Sequence, residues 1–179
     1  WGDLKYPPGF AHFDYVNPDA PKGGELRLVS NLRASTFDKY NPFTLRGTAP
    51  AYLSDLMFDS LLTGAADESG DVAGLDVLDE RTVRYRFRKP NRELPLTVGG
   101  LPVFSRAWGN EIDPKTGQRK TFDQVVMDLP IGSGPYRIGP VKFGRDITYV
   151  RDPGYWARDL PVRRGTANFD RITVKIYKD

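Results

Sequence analysis

Residues 131–156 read IGSGPYRIGPVKFGRDITYVRDPGYW, and this stretch decides the fold. It predicts two strands, 135–139 and 146–151, joined by a turn built on Gly139, Pro140 and Gly144, with further Gly and Pro at the outer ends. Alternation supports the pairing. Tyr136 and Ile138 fall on one face and Arg137 on the other, while Ile147 and Tyr149 oppose Asp146 and Thr148. A hairpin of this kind is a core to which the other strands must pair or pack.

Working outward, the last apolar alternation, 171–177, predicts a strand with Ile172, Val174 and Ile176 inward, reached through a basic turn at 162–165. Upstream, 25–30 predicts a strand with Leu26 and Leu28 on one face and Glu25 and Arg27 on the other. A helix is expected over about 50–62, with Pro50 in its first turn, Leu53, Leu56, Met57 and Leu61 at helical spacing, and Asp55 and Asp59 outward. Residues 63–74 read as a polar connector. Residues 81–88 alternate as a strand, with Val83, Tyr85 and Phe87 on one face and Arg84, Arg86 and Arg88 on the other. That arginine row fits a phosphate stripe, but a solvated outer sheet face gives the same pattern and is the expectation here. Residues 92–104 are too interrupted by Gly and Pro for a long helix, and 113–120 form a surface loop. Residues 31–48 show no period and form a long irregular loop, a class of segment that often carries function.

The first 24 residues hold four prolines and four glycines, so they predict an extended arm anchored by Trp1, Tyr6, Phe10, Phe13 and Tyr15. The lone histidine, His12, lies in this arm and has no second histidine or cysteine with which to hold a metal. The 179 residues suffice for a packed core, and a net charge of +3 with a pI near 9.1 gives no footprint for a nucleic-acid partner. Absence of cysteine excludes a disulfide framework and a thiol nucleophile. The chain begins at Trp1 without methionine and holds no apolar run of about 18 residues, which suits an exported protein whose leader has been removed.

Catalytic signatures are missing, and the expectation is a protein that is not an enzyme and needs no cofactor. The GSGPYR run lacks the Lys-Ser/Thr ending of a phosphate loop, and Pro135 removes an N–H such a loop would need, so it reads as a strand-entry turn. Asp67 and Glu68 are neighbours on a loop, a poor arrangement for paired acid and base. No Gly-x-Ser-x-Gly elbow is present. Trp156 is expected as a buried anchor, whereas Trp108 is balanced between anchor and ligand-stacking surface.

Four ordered runs carry a resemblance: HFDYVNPDAPKGGELRL (12–28), TFDKYNPFTLRG (36–47), GSGPYRI (132–138) and YVRDPGYWARDLPVRRGTANFDRI (149–172). Together they resemble the extracytoplasmic solute-binding proteins of bacterial ABC peptide importers, and most of all the Yej-type branch associated with peptide and microcin C uptake. The resemblance implies an α/β (α+β-like) fold: the mixed β-sheet lobe of a type II periplasmic-binding-protein-like architecture. It also implies a periplasmic, non-catalytic role, with a short peptide held between two lobes and an ABC permease as the docking partner.

Carried over by position, the ligand loop falls at 41–49. The candidate contacts are Arg46, Gly47, Thr48 and Ala49, with Phe37 and Trp108 beside them, and Arg46, Gly47 and Thr48 are placed for main-chain pairing with an extended peptide. Relatives are longer, and the chain reads as a truncated or engineered single-lobe fragment, its subdomain and second lobe missing. The expected division is an arm at 1–24, first strand, ligand loop and helix at 25–68, a junction at 69–71 in place of the subdomain, and the remaining strands at 72–179. A structural scaffold without useful ligand affinity, self-associating through exposed strand edges as a homo-oligomer, is the alternative.

Overall fold

A computed structural model describes residues 6, 8–31, 36–44, 46–60, 72–88, 90, 94–109, 111–124 and 127–177, with the backbone alone for 72–75, 96–97 and 123. Along the chain run β1 (Glu25–Val29), α1 (Leu53–Met57), β2 (Val72–Val77), β3 (Val83–Phe87), α2 (Leu94–Gly99), a 3₁₀ turn (Phe122–Gln124), β4 (Tyr136–Lys142), β5 (Asp146–Arg151) and β6 (Arg171–Lys175). They divide into two compact units, one of Trp1–Phe58 with Phe104–Asp179 and the other of Asp59–Val103. The strands expected within 72–179 are therefore shared between the units, and the expected junction at 69–71 lies outside the described residues.

The larger unit is built on a four-stranded mixed sheet of order β1-β6-β5-β4. β1 runs parallel to β6, pairing Leu26 with Ile172 and Leu28 with Val174, and the other neighbours are antiparallel. Ile147, Tyr149, Ile172 and Val174 are almost wholly buried on one face, as alternation requires, and Leu26, Leu28, Ile138 and Ile176 pack around them. The hairpin turn differs from the sequence expectation. β4 continues through Gly139 and Pro140 as a bulge between Ile138 and Val141, and the chain reverses at 143–145 around Gly144, whose φ is 72°. An edge strand tolerates proline at a bulge because no ladder donor is needed there, and β4 is an edge.

The opposite face is less open than the alternation implies, since Thr148 and Thr173 are also buried. Their hydroxyls lie 3.0 Å apart, and Thr173 Oγ1 donates to Glu25 Oε1 at 2.6 Å. A carboxylate only accepts, so the proton order is fixed: Thr148 donates to Thr173, which donates to Glu25. Thr173 first, and then Arg27, hold the Glu25 carboxyl below the usual carboxylate range. With the folded pKa depressed, the stabilisation is complete above the unfolded value and is lost as pH falls through the folded one. We expect Glu25→Gln to flatten the acid limb of a plot of melting temperature against pH between about pH 5 and pH 3. A limb as steep as that of the parent would show that the carboxylate contributes nothing.

The helix is shorter than the expected 50–62. It starts after Tyr52, which stands in the left-handed region at φ 61°, and ends where Phe58 turns extended. Packing overrides the apolar spacing here: Phe58 leaves the helix to join Phe43, Phe104 and Trp108 in an aromatic cluster, with ring centres 5.4–6.2 Å away. Asp59, expected outward, is buried, and Leu61 lies outside the described residues. The GSGPYR run explains itself at this point. Gly134 N–H donates to Met57 O at 2.8 Å, and a Cβ on Gly132 would stand 2.1 Å from that same oxygen. Both glycines let the strand entry lie against the helix backbone.

The arm is held differently from the expectation that aromatics anchor it. Tyr6, Phe10 and Phe13 pack on one another, and Tyr15, stacked on Phe13, is largely exposed; Trp1 is outside the described residues. Polar contacts do the holding: Gly23 N–H donates to Asn168 O, and Lys22 Nζ reaches Thr166 O and Asn168 Oδ1, each at 2.6 Å. Trp156, expected as a buried anchor, is 67% exposed and donates its indole N–H to Ser133 O, while its neighbour Tyr155 is the buried ring.

In the smaller unit β2 pairs antiparallel with β3, with a bulge between Val72 and Gly74. Residues 72–74, read as connector, belong to that strand because β3 offers them a partner. Arg86 meets Asp76 across the pair at 3.0 Å, so the arginine row is in part a solvated charge ladder.

Candidate functional site

The loop after β1 is irregular, as its composition dictates, yet it is strongly braced. Asp38 brackets Thr48 twice: its N–H donates to Thr48 O at 3.1 Å, and its carboxylate accepts the Thr48 N–H at 2.6 Å. Gly47 makes the second bond possible. Its φ is 85°, and a Cβ there would fall 2.7 Å from Asp38 Oδ1. Lys39 is buried, with its ammonium spent on Thr44 O and Thr44 Oγ1. Asn41, fully buried, donates to Phe122 O at 2.9 Å and accepts the Phe43 N–H at 3.0 Å. Beneath the loop, Tyr149 gives its hydroxyl to Ala51 O at 2.6 Å, tying the exit of the loop to the sheet. Burial, and then the charge of Asp55, push the Tyr149 hydroxyl far above its ordinary pKa, so it stays a donor.

A concavity of about 410 Å³ opens beside this braced segment, lined in part by Asn31, Gly47, Thr48, Ala49 and Tyr52. The structure thus brings together three of the residues read from sequence, Gly47, Thr48 and Ala49. Arg46 is adjacent and exposed but is not part of the lining. Phe37 and Trp108 are 3% and 4% exposed. Phe37 packs on Tyr40 and Phe143, and Trp108 packs among Phe58, Phe104 and Phe122 while its indole donates to Asp128 O. Their rings are buried in aromatic packing and do not line this concavity.

Main-chain availability also differs within the loop. Both backbone groups of Thr48 already engage Asp38, whereas no hydrogen bond among the described residues occupies the backbone of Gly47 or Ala49. Sequence reading missed the bracing residues Asp38, Lys39 and Asn41. All three lie in the run FDKYNP that carried the resemblance, but polar residues in a loop look solvated until their partners are known. Among the described residues there is no group of three metal-ligating side chains, and no helix is long and apolar enough to cross a membrane.

The chain is similar to several known proteins. The y4wM protein of Sinorhizobium fredii is 31% identical over 237 positions, covering 99% of this chain and 35% of that protein. A probable peptide-binding protein, YejA, of Agrobacterium fabrum is 29% identical over 99% of this chain and 38% of its own length. The chain thus spans little more than a third of these relatives. The 237-position alignment exceeds the 179 residues available, so y4wM carries residues inside the matched span that are not found here. Among solved structures, the periplasmic binding protein DppA of Helicobacter pylori in complex with the peptide STSA aligns with 88% of this chain and 43% of its own, at 14% identity and a TM-score of 0.46. The model of the bacterial extracellular solute-binding proteins, family 5 middle, matches residues 31–179, from the loop after β1 to the end of the chain, and the chain therefore belongs to family 5 of the bacterial extracellular solute-binding proteins.

Proposed function

We propose that this chain forms one wall of an extracytoplasmic peptide-binding cleft that serves an ABC importer, and that the 46–49 segment is the part of the wall that meets the ligand. One observation carries the reading: a concavity of about 410 Å³ beside a loop whose backbone is rigidly braced, yet is unpaired at Gly47 and Ala49 among the described residues. A peptide laid along it adds main-chain hydrogen bonds in the manner of an added strand. Arg46, exposed at the rim, offers a guanidinium to the ligand's carboxylate. Thr48 acts through its side chain and its bracing, since Asp38 holds its backbone. Phe37 and Trp108 act as the packed support of the wall. The relative named as a probable peptide-binding protein points the same way, and the Yej-type ligand class, microcin-like peptides included, is the first to try. The permease partner and the periplasmic location go with this role.

Titration calorimetry with a pool of short peptides tests it. A single wall buries less of a ligand than a closed cleft, so a Kd on the order of 1 mM is expected for this chain. Asp38→Ala, which unbraces Thr48, and Arg46→Ala should each weaken binding by about fivefold to tenfold. Saturable binding indifferent to both substitutions would move the ligand elsewhere, and absence of heat at every peptide concentration would favour the scaffold reading.

A further inference from the structure

A second and larger cavity, of about 670 Å³, lies at the other end of the strands, where the arm enters β1 and where the chain passes from β5 to β6. Five of its lining residues are cations, Lys22, Arg151, Arg158, Arg163 and Arg164, against the three carboxylates Asp19, Asp152 and Asp159. Two of those carboxylates have partners, Asp159 within the lining itself. Asp152 accepts the Gly154 N–H at 2.9 Å and faces Arg137, a residue outside the lining, at 3.6 Å, while Asp159 pairs with Arg158 at 3.2 Å. Arg151 pairs with the more exposed Asp170, but its Nε is buried without any hydrogen-bond partner. Partial burial, and after it the charge of Arg151, lower the pKa of Lys22, so Arg151 repels this exposed ammonium at the cavity. With five cations against three carboxylates, the lining carries like charges that an anion in the cavity would offset. Pro18, Pro135, Pro153 and Tyr155 supply flat apolar surface in the same cavity.

We infer that this cavity binds a small organic oxyanion, a phosphate or carboxylate carried on a flat apolar body, as a site separate from the peptide wall. Guanidinium groups suit either oxyanion because their paired N–H donors match its paired oxygens. The volume is within the range of pockets for small organic molecules and much larger than a bare phosphate needs.

The test uses phenyl phosphate, benzoate and inorganic phosphate in low salt, titrated against the chain and followed by amide shifts in NMR. Phenyl phosphate or benzoate is expected to bind at least about fivefold more tightly than inorganic phosphate, with shifts confined to Lys22, Arg151 and 163–167, and the stronger of the two arms identifies the oxyanion. Arg164→Gln, at an exposed position, should weaken that binding by about fivefold, and Arg163→Gln with Arg164→Gln by about tenfold or more, with the melting temperature and peptide titration unchanged. Shifts scattered over the surface, or affinity unaltered in the double variant, would overturn the inference. If the double variant unfolds, the location of the shifts in the parent decides it.

Discussion

Replacing Gly132 by alanine is expected to lower the unfolding free energy by about 3 kcal/mol or more, at the upper end of overpacking effects. The added methyl would sit 2.1 Å from Met57 O and 3.1 Å from Met57 C, both atoms of helix backbone that no rotamer change can move aside. Gly134→Ala meets the same helix end, at 2.7 Å from Met57 C and 2.9 Å from Phe58 N. Relief requires the strand entry to separate from α1, which breaks the Gly134 N–H to Met57 O bond and opens the packing around the buried Met57. Gly154→Ala is the control. Its Cβ would meet only the flexible Asp152 carboxylate, at 3.4 Å, so a change within about 0.5 kcal/mol is expected. Urea unfolding of the three variants checks the order. Equal stabilities for Gly132→Ala and Gly154→Ala would mean that the close approach is not present in solution.

Truncating Tyr149 is the second large effect, and it separates two contributions in one side chain. Tyr149→Phe keeps the ring and removes the hydroxyl that meets Ala51 O, leaving a buried carbonyl unpaired at a cost of about 1–3 kcal/mol. Tyr149→Ala also empties ring volume at the centre of the core, where Tyr149 is 0% exposed, for a total of about 3–5 kcal/mol. The two variants should differ in function as well. In Tyr149→Phe the sheet stays intact but the loop exit at Ala51 loses its tie, so peptide affinity falls further than the modest loss of stability implies. Calorimetry at a temperature where the variant remains folded reads this directly. Unchanged affinity in Tyr149→Phe would separate the loop tie from ligand binding.

Strands were legible where one face is buried. In 146–151 and 171–177 the apolar residues alternate because the sheet has a single core face, and the structure follows them closely. Thr148 and Thr173 broke the pattern for a chemical reason: two hydroxyls can satisfy each other and Glu25, so they tolerate burial on the polar face. The helix was overextended because Leu53, Leu56, Met57 and Leu61 satisfy a helical period whether or not the chain stays helical. Only the aromatic cluster around Phe58 ends it, and its other three residues, Phe43, Phe104 and Trp108, come from elsewhere in the sequence. At the candidate site, the resemblance pointed to the loop at 41–49. The division of labour within it was hidden, because the brace from Asp38 to Thr48 joins residues ten apart through a carboxylate that reads as exposed charge. Trp108 was undecided for a similar reason. Whether an indole faces a ligand or a core depends on Phe58, Phe104 and Phe122, whose positions the local sequence does not encode.

The parallel pairing of β1 with β6 has a kinetic meaning. Thr173 and Glu25, bonded across that pairing, are 148 residues apart, whereas β4, β5 and β6 meet neighbours close to them in the chain. Closing so long a loop carries an entropic barrier of about 4 kcal/mol before any contact across it is made, far more than a tight hairpin turn demands. The three antiparallel strands can therefore assemble as a nucleus by themselves, and β1 arrives as the slow, high-contact-order step. Until it does, the flank of β6 remains an open template, and the chain's own first strand is what finally closes that flank to strangers.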